Sequence, residues 1–175
     1  RYKLAAAAVG NYALFIGGYY YDGEDQMNST TIDVYNTSLT RSTMTAAQVC
    51  FGNAAATVGD YILYVRNNSA NSVVASIDAS LTKGTAASLS TARYDLAAMT
   101  LGDFALFGGG CTSSSSRSAV VDSYDTSLTM TVATSLSLAR EYPQGIQVGD
   151  YGLFAGGNNG SSSGSYSAVV DVYTI

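Results

Sequence analysis

The chain has 175 residues, 47% of them hydrophobic, enough to bury a core of ordinary domain size and too apolar for a disordered segment. Charged residues are 12%, against roughly 25% in an average soluble domain, so the surface must be built from Ser, Thr, Asn, Tyr and Gly. With a net charge of −5 and no run of Lys or Arg there is no basic footprint for nucleic acid, and no apolar stretch approaches the roughly 18 residues that membrane insertion as a helix requires.

In chain order, short extended runs succeed one another. The first stretch offers LAAAAV (Leu4 to Val9), YALFIGG (Tyr12 to Gly18), TIDVY (Thr31 to Tyr35) and SLTRSTMT (Ser38 to Thr45). The second begins NAAATV (Asn53 to Val58) and continues YILYVRN (Tyr61 to Asn67). The third gives LAAMTL, FALFGGG, SAVVDSY (Ser118 to Tyr124) and SLTMTVATS (Ser127 to Ser135), and the last gives YGLFAGG and SAVVDVY (Ser167 to Tyr173). Gly10, Gly59, Gly102 and Gly149 mark the same point in four copies spaced 43 to 49 residues apart, a period typical of propellers and related arrays. The copies span about 1–46, 47–89, 90–136 and 137–175.

Runs of this length, bounded by Gly, Asn, Asp and Ser, predict an all-β chain of antiparallel strands. Within a copy the runs go from small to bulky to bulky to polar. Where sheets converge on an axis, the innermost strand has room only for Ala and Gly, the middle strands are covered on both faces, and the outermost meets water. The pattern therefore predicts a β-propeller with four blade-type repeats of four short strands, the last blade lacking its outer strand. Each repeat is too thin to bury both faces alone.

Three features carry a family resemblance: the Gly doublets (Gly17 and Gly18, Gly109 and Gly110, Gly156 and Gly157), a later Tyr (Tyr35, Tyr124, Tyr173) and an Arg ahead of the first run (Arg1, Arg93, Arg140). In these the whole chain resembles the kelch-repeat β-propellers, in particular the kelch-like arrays of gut bacterial and phage proteins. Kelch blades carry a Trp after that Tyr; this chain has none, and Leu39, Leu81 and Leu128 of the SLT turns stand in its place. The resemblance implies a fold and little chemistry.

The second copy departs from the others at three positions, with Cys50 for the Arg, Arg66 for the first Gly of the doublet and Ala75 for Asp33, Asp122 and Asp171. Arg and Asp vanish together, as expected if they pair inside a blade or across to its neighbour; chance among four copies is the alternative. The doublets are read as positive-φ strand ends, not a phosphate cradle. Cys50 and Cys111 occupy unrelated repeat positions and suggest neither a disulfide framework nor a metal site.

The chain has no histidine, which removes Ser-His-Asp and Cys-His arrangements and His-ligated metals, including those of the copper oxidases among kelch propellers. Asp60, Asp103 and Asp150 sit at equivalent turns and read as turn formers. No enzyme activity and no cofactor are expected. Asp22, Glu24 and Asp25 could hold calcium, but no full ligand spacing follows.

The copies differ most between their second and third runs. A rigid scaffold with variable loops on one face is the usual binding device of repeat folds. The candidate contact residues are Tyr19, Tyr20 and Tyr21, with Arg66, Arg117, Asn158 and Tyr166; the tyrosines either offer flat faces to a sugar or protein or pack against neighbouring blades. The expected role is a non-enzymatic recognition module for a glycan or protein ligand, extracellular, cell-surface or virion-associated. The competing role is a structural repeat of a surface layer, fibre or filament. The chain opens at Arg1 inside a repeat, and its last sheet ends on an unpaired edge, so self-association or membership of a longer repeat array is expected.

Overall fold

The computed structural model describes residues 1–46, 54–65, 72–160 and 165–175, and these form an all-β structure without helix. The first repeat contributes β1 (Ala5–Val9), β2 (Tyr12–Ile16), β3 (Tyr19–Asp22), β4 (Asp25–Asn28), β5 (Thr31–Asn36) and β6 (Arg41–Thr45). The second contributes β7 (Ala55–Val58), β8 (Tyr61–Val65), β9 (Val74–Asp78) and β10 (Lys83–Thr85). The third contributes β11 (Ala97–Leu101), β12 (Phe104–Gly108), β13 (Cys111–Ser113), β14 (Ser116–Arg117), β15 (Val121–Tyr124) and β16 (Met130–Val132). The fourth contributes β17 (Gln144–Val148), β18 (Tyr151–Ala155) and β19 (Val170–Thr174). Each repeat makes its own antiparallel sheet, in the orders β1-β2-β5-β6, β7-β8-β9-β10, β11-β12-β15-β16 and β17-β18-β19, so the fourth sheet has three strands.

The first strands lie side by side in chain order, β1 against β7, β7 against β11 and β11 against β17. Their small side chains are what permits this. Ala5 and Ala6, Ala54 and Ala55, Ala97 and Ala98, and Gln144 and Gly145 line one shared cavity of about 170 Å³. A Cβ on Gly145 would stand 2.7 Å from the Ala98 carbonyl oxygen, closer than a side chain tolerates. Threonines tie these strands laterally: Thr57 Oγ1 donates to the Ala8 carbonyl at 2.6 Å, and Thr100 Oγ1 donates to the Thr57 carbonyl at 2.8 Å. The outer strands β6, β10 and β16 are mostly exposed, as their Thr-rich sequences predict.

Three apolar clusters fill the gaps between successive sheets. Leu14, Ile16, Ile32 and Val34 meet Ile62, Tyr64 and Ile77; Leu63, Val65 and Val74 meet Phe107 and Tyr124; Met99, Leu101, Leu106 and Val121 meet Phe154. The middle strands were expected to be buried on both faces. That holds for β8 and most of β12, whereas β2 and β18 alternate, because among the described residues the first and fourth sheets have a neighbour on one face only.

Two of the expected loops are hairpins instead. Tyr19 to Asn28 pairs Tyr19 with Asn28 and Asp22 with Asp25, around Gly23 at φ +68°, and β13 pairs with β14. A run of β-favouring tyrosines followed by Asp-Gly is itself a hairpin signal, so the Asp22, Glu24 and Asp25 segment closes a turn. Among the described residues no group of acidic or sulfur side chains is placed to hold a metal ion.

Candidate functional site

Three of the four first strands are preceded by an Arg and two further residues, Arg1-Tyr2-Lys3, Arg93-Tyr94-Asp95 and Arg140-Glu141-Tyr142. The third residue of each set is left-handed, with φ of +54° at Lys3, +55° at Asp95 and +53° at Tyr142. Three unlike side chains thus share one strained backbone state, which costs non-glycine residues about 1 kcal/mol or more. The second copy has Gly52 at the aligned position, outside the described residues.

The arginines fasten this turn to the sheet. Arg93 Nη1 donates to the carbonyls of Gly109 and Val120, and Nη2 donates to Asp122 at 2.5 Å, with both charged side chains fully buried. Arg140 pairs with Asp171 at 2.8 Å and donates to the Phe154 carbonyl. Arg1 pairs with Asp33 and donates to the Gly17 carbonyl. The Arg and Asp lost together from the second copy are therefore intrasheet partners in the other three. Cys50 lies outside the described residues, and Ala75, opposite Tyr64, is buried.

The middle residue of each set is stitched by a pair of backbone hydrogen bonds to the connection that follows the Gly doublet: Tyr2 with Tyr19, Tyr94 with Cys111, and Glu141 with Asn158. The entry turns and the variable connections therefore share one end of the sheets. There Tyr2 packs on Tyr19 at 5.3 Å between ring centroids and stacks on Tyr21 at 6.1 Å with an interplanar angle of 10°. Tyr20 points to the opposite side of β3, 43% exposed. The Lys3 ammonium lies 5.9 Å from the centroid of the Tyr142 ring, joining the first repeat to the fourth.

A second group lies between the third and fourth repeats. Arg117 Nη2 donates to Glu141 Oε1 at 2.6 Å, and the Cys111 thiol donates to Glu141 Oε2 at 2.7 Å. Burial pushes the Cys111 thiol up to about 12, with the bond to Glu141 adding to the shift, so the group is a neutral donor. Burial and then a hydrogen bond to Asp95 push the Tyr142 phenol up. Tyr19 is raised by burial and then by Asp95.

Of the residues singled out in the sequence, Tyr19 and Tyr21 join Tyr2, Arg117 joins Glu141, and Asn158 bridges both Glu141 and Tyr166. Tyr166 is 79% exposed, and Arg66 lies outside the described residues. Sequence reasoning missed Tyr2, Lys3, Asp95, Glu141 and Tyr142. Their signal was present: the two positions after a repeated Arg change chemistry from copy to copy while the Arg itself does not.

No known family model matches the chain, and no curated protein matches it. Among solved structures it is similar to that of YjhT, with 14% sequence identity and a TM-score of 0.77. The superposition covers 99% of this chain and 66% of that one, and likeness at this identity concerns the fold alone.

Proposed function

We propose that the four sheets are blades of a kelch-like β-propeller, the last without its outer strand, and that the chain is a non-enzymatic recognition module which binds glycan at the end carrying the entry turns. The order of the alanine strands around one cavity supports the propeller reading, as does the recurrence of the Arg, Gly-doublet and Tyr positions in equivalent sheet locations. The single observation that carries the binding role is the Tyr2, Tyr19 and Tyr21 platform. Flat rings partly open to solvent, held by backbone pairing on a stiff sheet end, suit the apolar face of a sugar ring. Arg117, Glu141 and Asn158 offer polar partners on the same end. A weakly charged, Ser- and Thr-rich surface agrees with an extracellular, cell-surface or virion setting.

A glycan array read with the 175-residue chain tests this. Tyr21→Ala, at a 62% exposed position, should weaken binding of any sugar hit about tenfold, equivalent to roughly 1.4 kcal/mol, without changing the unfolding midpoint. No sugar hit together with capture of a protein ligand would move the assignment to protein recognition. The second reading, a structural repeat of a layer, fibre or filament, is favoured by the four-copy period, in which each sheet packs on the next through an apolar cluster.

A further inference from the structure

The first hairpin carries more than tyrosines on its platform face. In the β3–β4 register Tyr19 stands opposite Asn28 and Tyr21 opposite Gln26, and residues directly opposite in an antiparallel pair project from the same face. Tyr2 bridges to Tyr19, so its ring extends the row of Tyr19 and Asn28 across a third chain segment. Tyr20 and Met27, opposite each other, occupy the reverse face. All of β4 is exposed, and both amides therefore stand open beside the rings. The platform face looks along the repeat series: Cys111, which follows the third Gly doublet as Tyr19 follows the first, reaches from the equivalent position to Glu141 of the next repeat.

Charge at this hairpin is set against an anion. Asp22, Glu24 and Asp25 stand at its tip, all exposed. Every Lys and Arg side chain among the described residues is already engaged within the chain. Arg1 and Arg41 meet Asp33, Arg93 meets Asp122, Arg117 meets Glu141 and Arg140 meets Asp171. The Lys83 ammonium donates to the Thr45 carbonyl, and the Lys3 ammonium lies over the Tyr142 ring. A carboxylated or sulfated sugar brought to this face would be desolvated beside carboxylates, with no cation set aside among the described residues to offset the cost. A primary amide, with one acceptor oxygen and two N–H donors, instead suits sugar hydroxyls, which both donate and accept.

We infer that the ligand of this platform is an uncharged pyranose glycan, with Gln26 and Asn28 as its specificity-determining contacts; this rests on the glycan reading and narrows it to one chemical class. The rings take the apolar face of the sugar and the amides its hydroxyl edge, so one face of one hairpin supplies both. The acidic tip turns away carboxylated and sulfated sugars by like-charge repulsion, which salt screens over about 10 Å at 0.1 M.

A glycan array carrying neutral oligosaccharides beside carboxylated and sulfated counterparts of the same backbones is the test, read with the 175-residue chain and followed by titration calorimetry of the hits. Neutral sugars should bind, and their anionic counterparts about tenfold more weakly at low salt, with the gap narrowing as salt rises. Gln26→Ala should weaken the neutral hits about tenfold, and Met27→Ala, on the reverse face of the same strand, should leave them unchanged; both variants should melt like the parent. Replacing Asp22, Glu24 and Asp25 by their amides should bring the anionic sugars up toward the neutral ones. Anionic counterparts that bind as tightly as the neutral sugars would overturn the inference and spare the glycan reading, as would neutral hits indifferent to Gln26→Ala. An array with no sugar hit at all would overturn both.

Discussion

Arg93 shows how much one side chain can hold in a chain this poor in charge. Its guanidinium, at 0% exposure, meets a carboxylate and the carbonyls of Gly109 and Val120 at once, so two strand ends and the entry turn depend on it. Arg93→Met leaves Asp122 buried without its counter-charge, and the expected loss is about 3 to 5 kcal/mol by denaturant unfolding. Adding Asp122→Asn should cost clearly less than a second independent loss; strictly additive losses would contradict the coupling. The pairing was legible because both members disappear from the second copy, where Ala75 fills the Asp position. Its burial was not legible, since sequence alone does not say which face a neighbouring sheet covers. Cys111 makes the companion case. A buried thiol that keeps its proton is a poor nucleophile, so in a Cys50→Ser background it should resist thiol reagents at pH 8 and react at once in denaturant. Rapid labelling of the folded chain would contradict the burial.

At the scale of the element, the Gly doublets and SLT turns occupy the same backbone state for opposite reasons. Gly109 and Gly156 have φ of +73° and +70°, yet a Cβ on Gly109 would lie 2.6 Å from the Arg140 carbonyl oxygen, while one on Gly156 meets nothing within 4 Å. Gly156→Ala should therefore lose only the left-handed penalty of about 1 to 2 kcal/mol, and Gly109→Ala distinctly more, because the chain must also move. Equal losses would show that the close approach is unimportant. Leu39, Leu81 and Leu128 accept φ of +57°, +63° and +62° despite their side chains. Packing repays two of them. Leu39→Asn, exchanging an exposed leucine for a residue at ease in this region, should raise the unfolding midpoint at low protein concentration, whereas Leu128→Asn should lower it. The strands and their order were readable from the runs of small, bulky and polar residues. The hairpin β3–β4 was missed although Asp22-Gly23 after the tyrosines signals it, and the Ser-rich β13–β14 resembles variable loop filler until the pairing partner across the turn is seen.

For the whole molecule, the four-copy period made the sheet series legible, and it also made the two end sheets look like the inner ones. Ile146, Val148 and Val170 are exposed although their repeat mates Met99, Leu101 and Val121 are core, because among the described residues no sheet packs on that face of the fourth. The protonation balance is a property of the whole chain too. Cys111 and Tyr173 are pushed up to about 12, chiefly by burial, and burial also drives the Tyr124 and Tyr142 phenols upward. The Tyr124 and Tyr173 hydroxyls donate to the carbonyls of Ala87 and Thr134, both at 2.9 Å, so each folded phenol is held as a donor. In the unfolded chain these groups release their protons near their ordinary values of about 8.5 for Cys and 10 for Tyr. Folded pKa values above unfolded ones mean that the stabilisation is intact below about pH 8.5 and is withdrawn as pH rises toward 12. The unfolding midpoint should accordingly stay level from pH 7 to about 8.5 and then fall steadily. Tyr173→Phe should flatten part of that fall, because a phenylalanine has no proton to lose in either state. A parent midpoint that holds level to pH 11, or a Tyr173→Phe profile parallel to the parent's, would count against this account of how the interfaces hold their phenols.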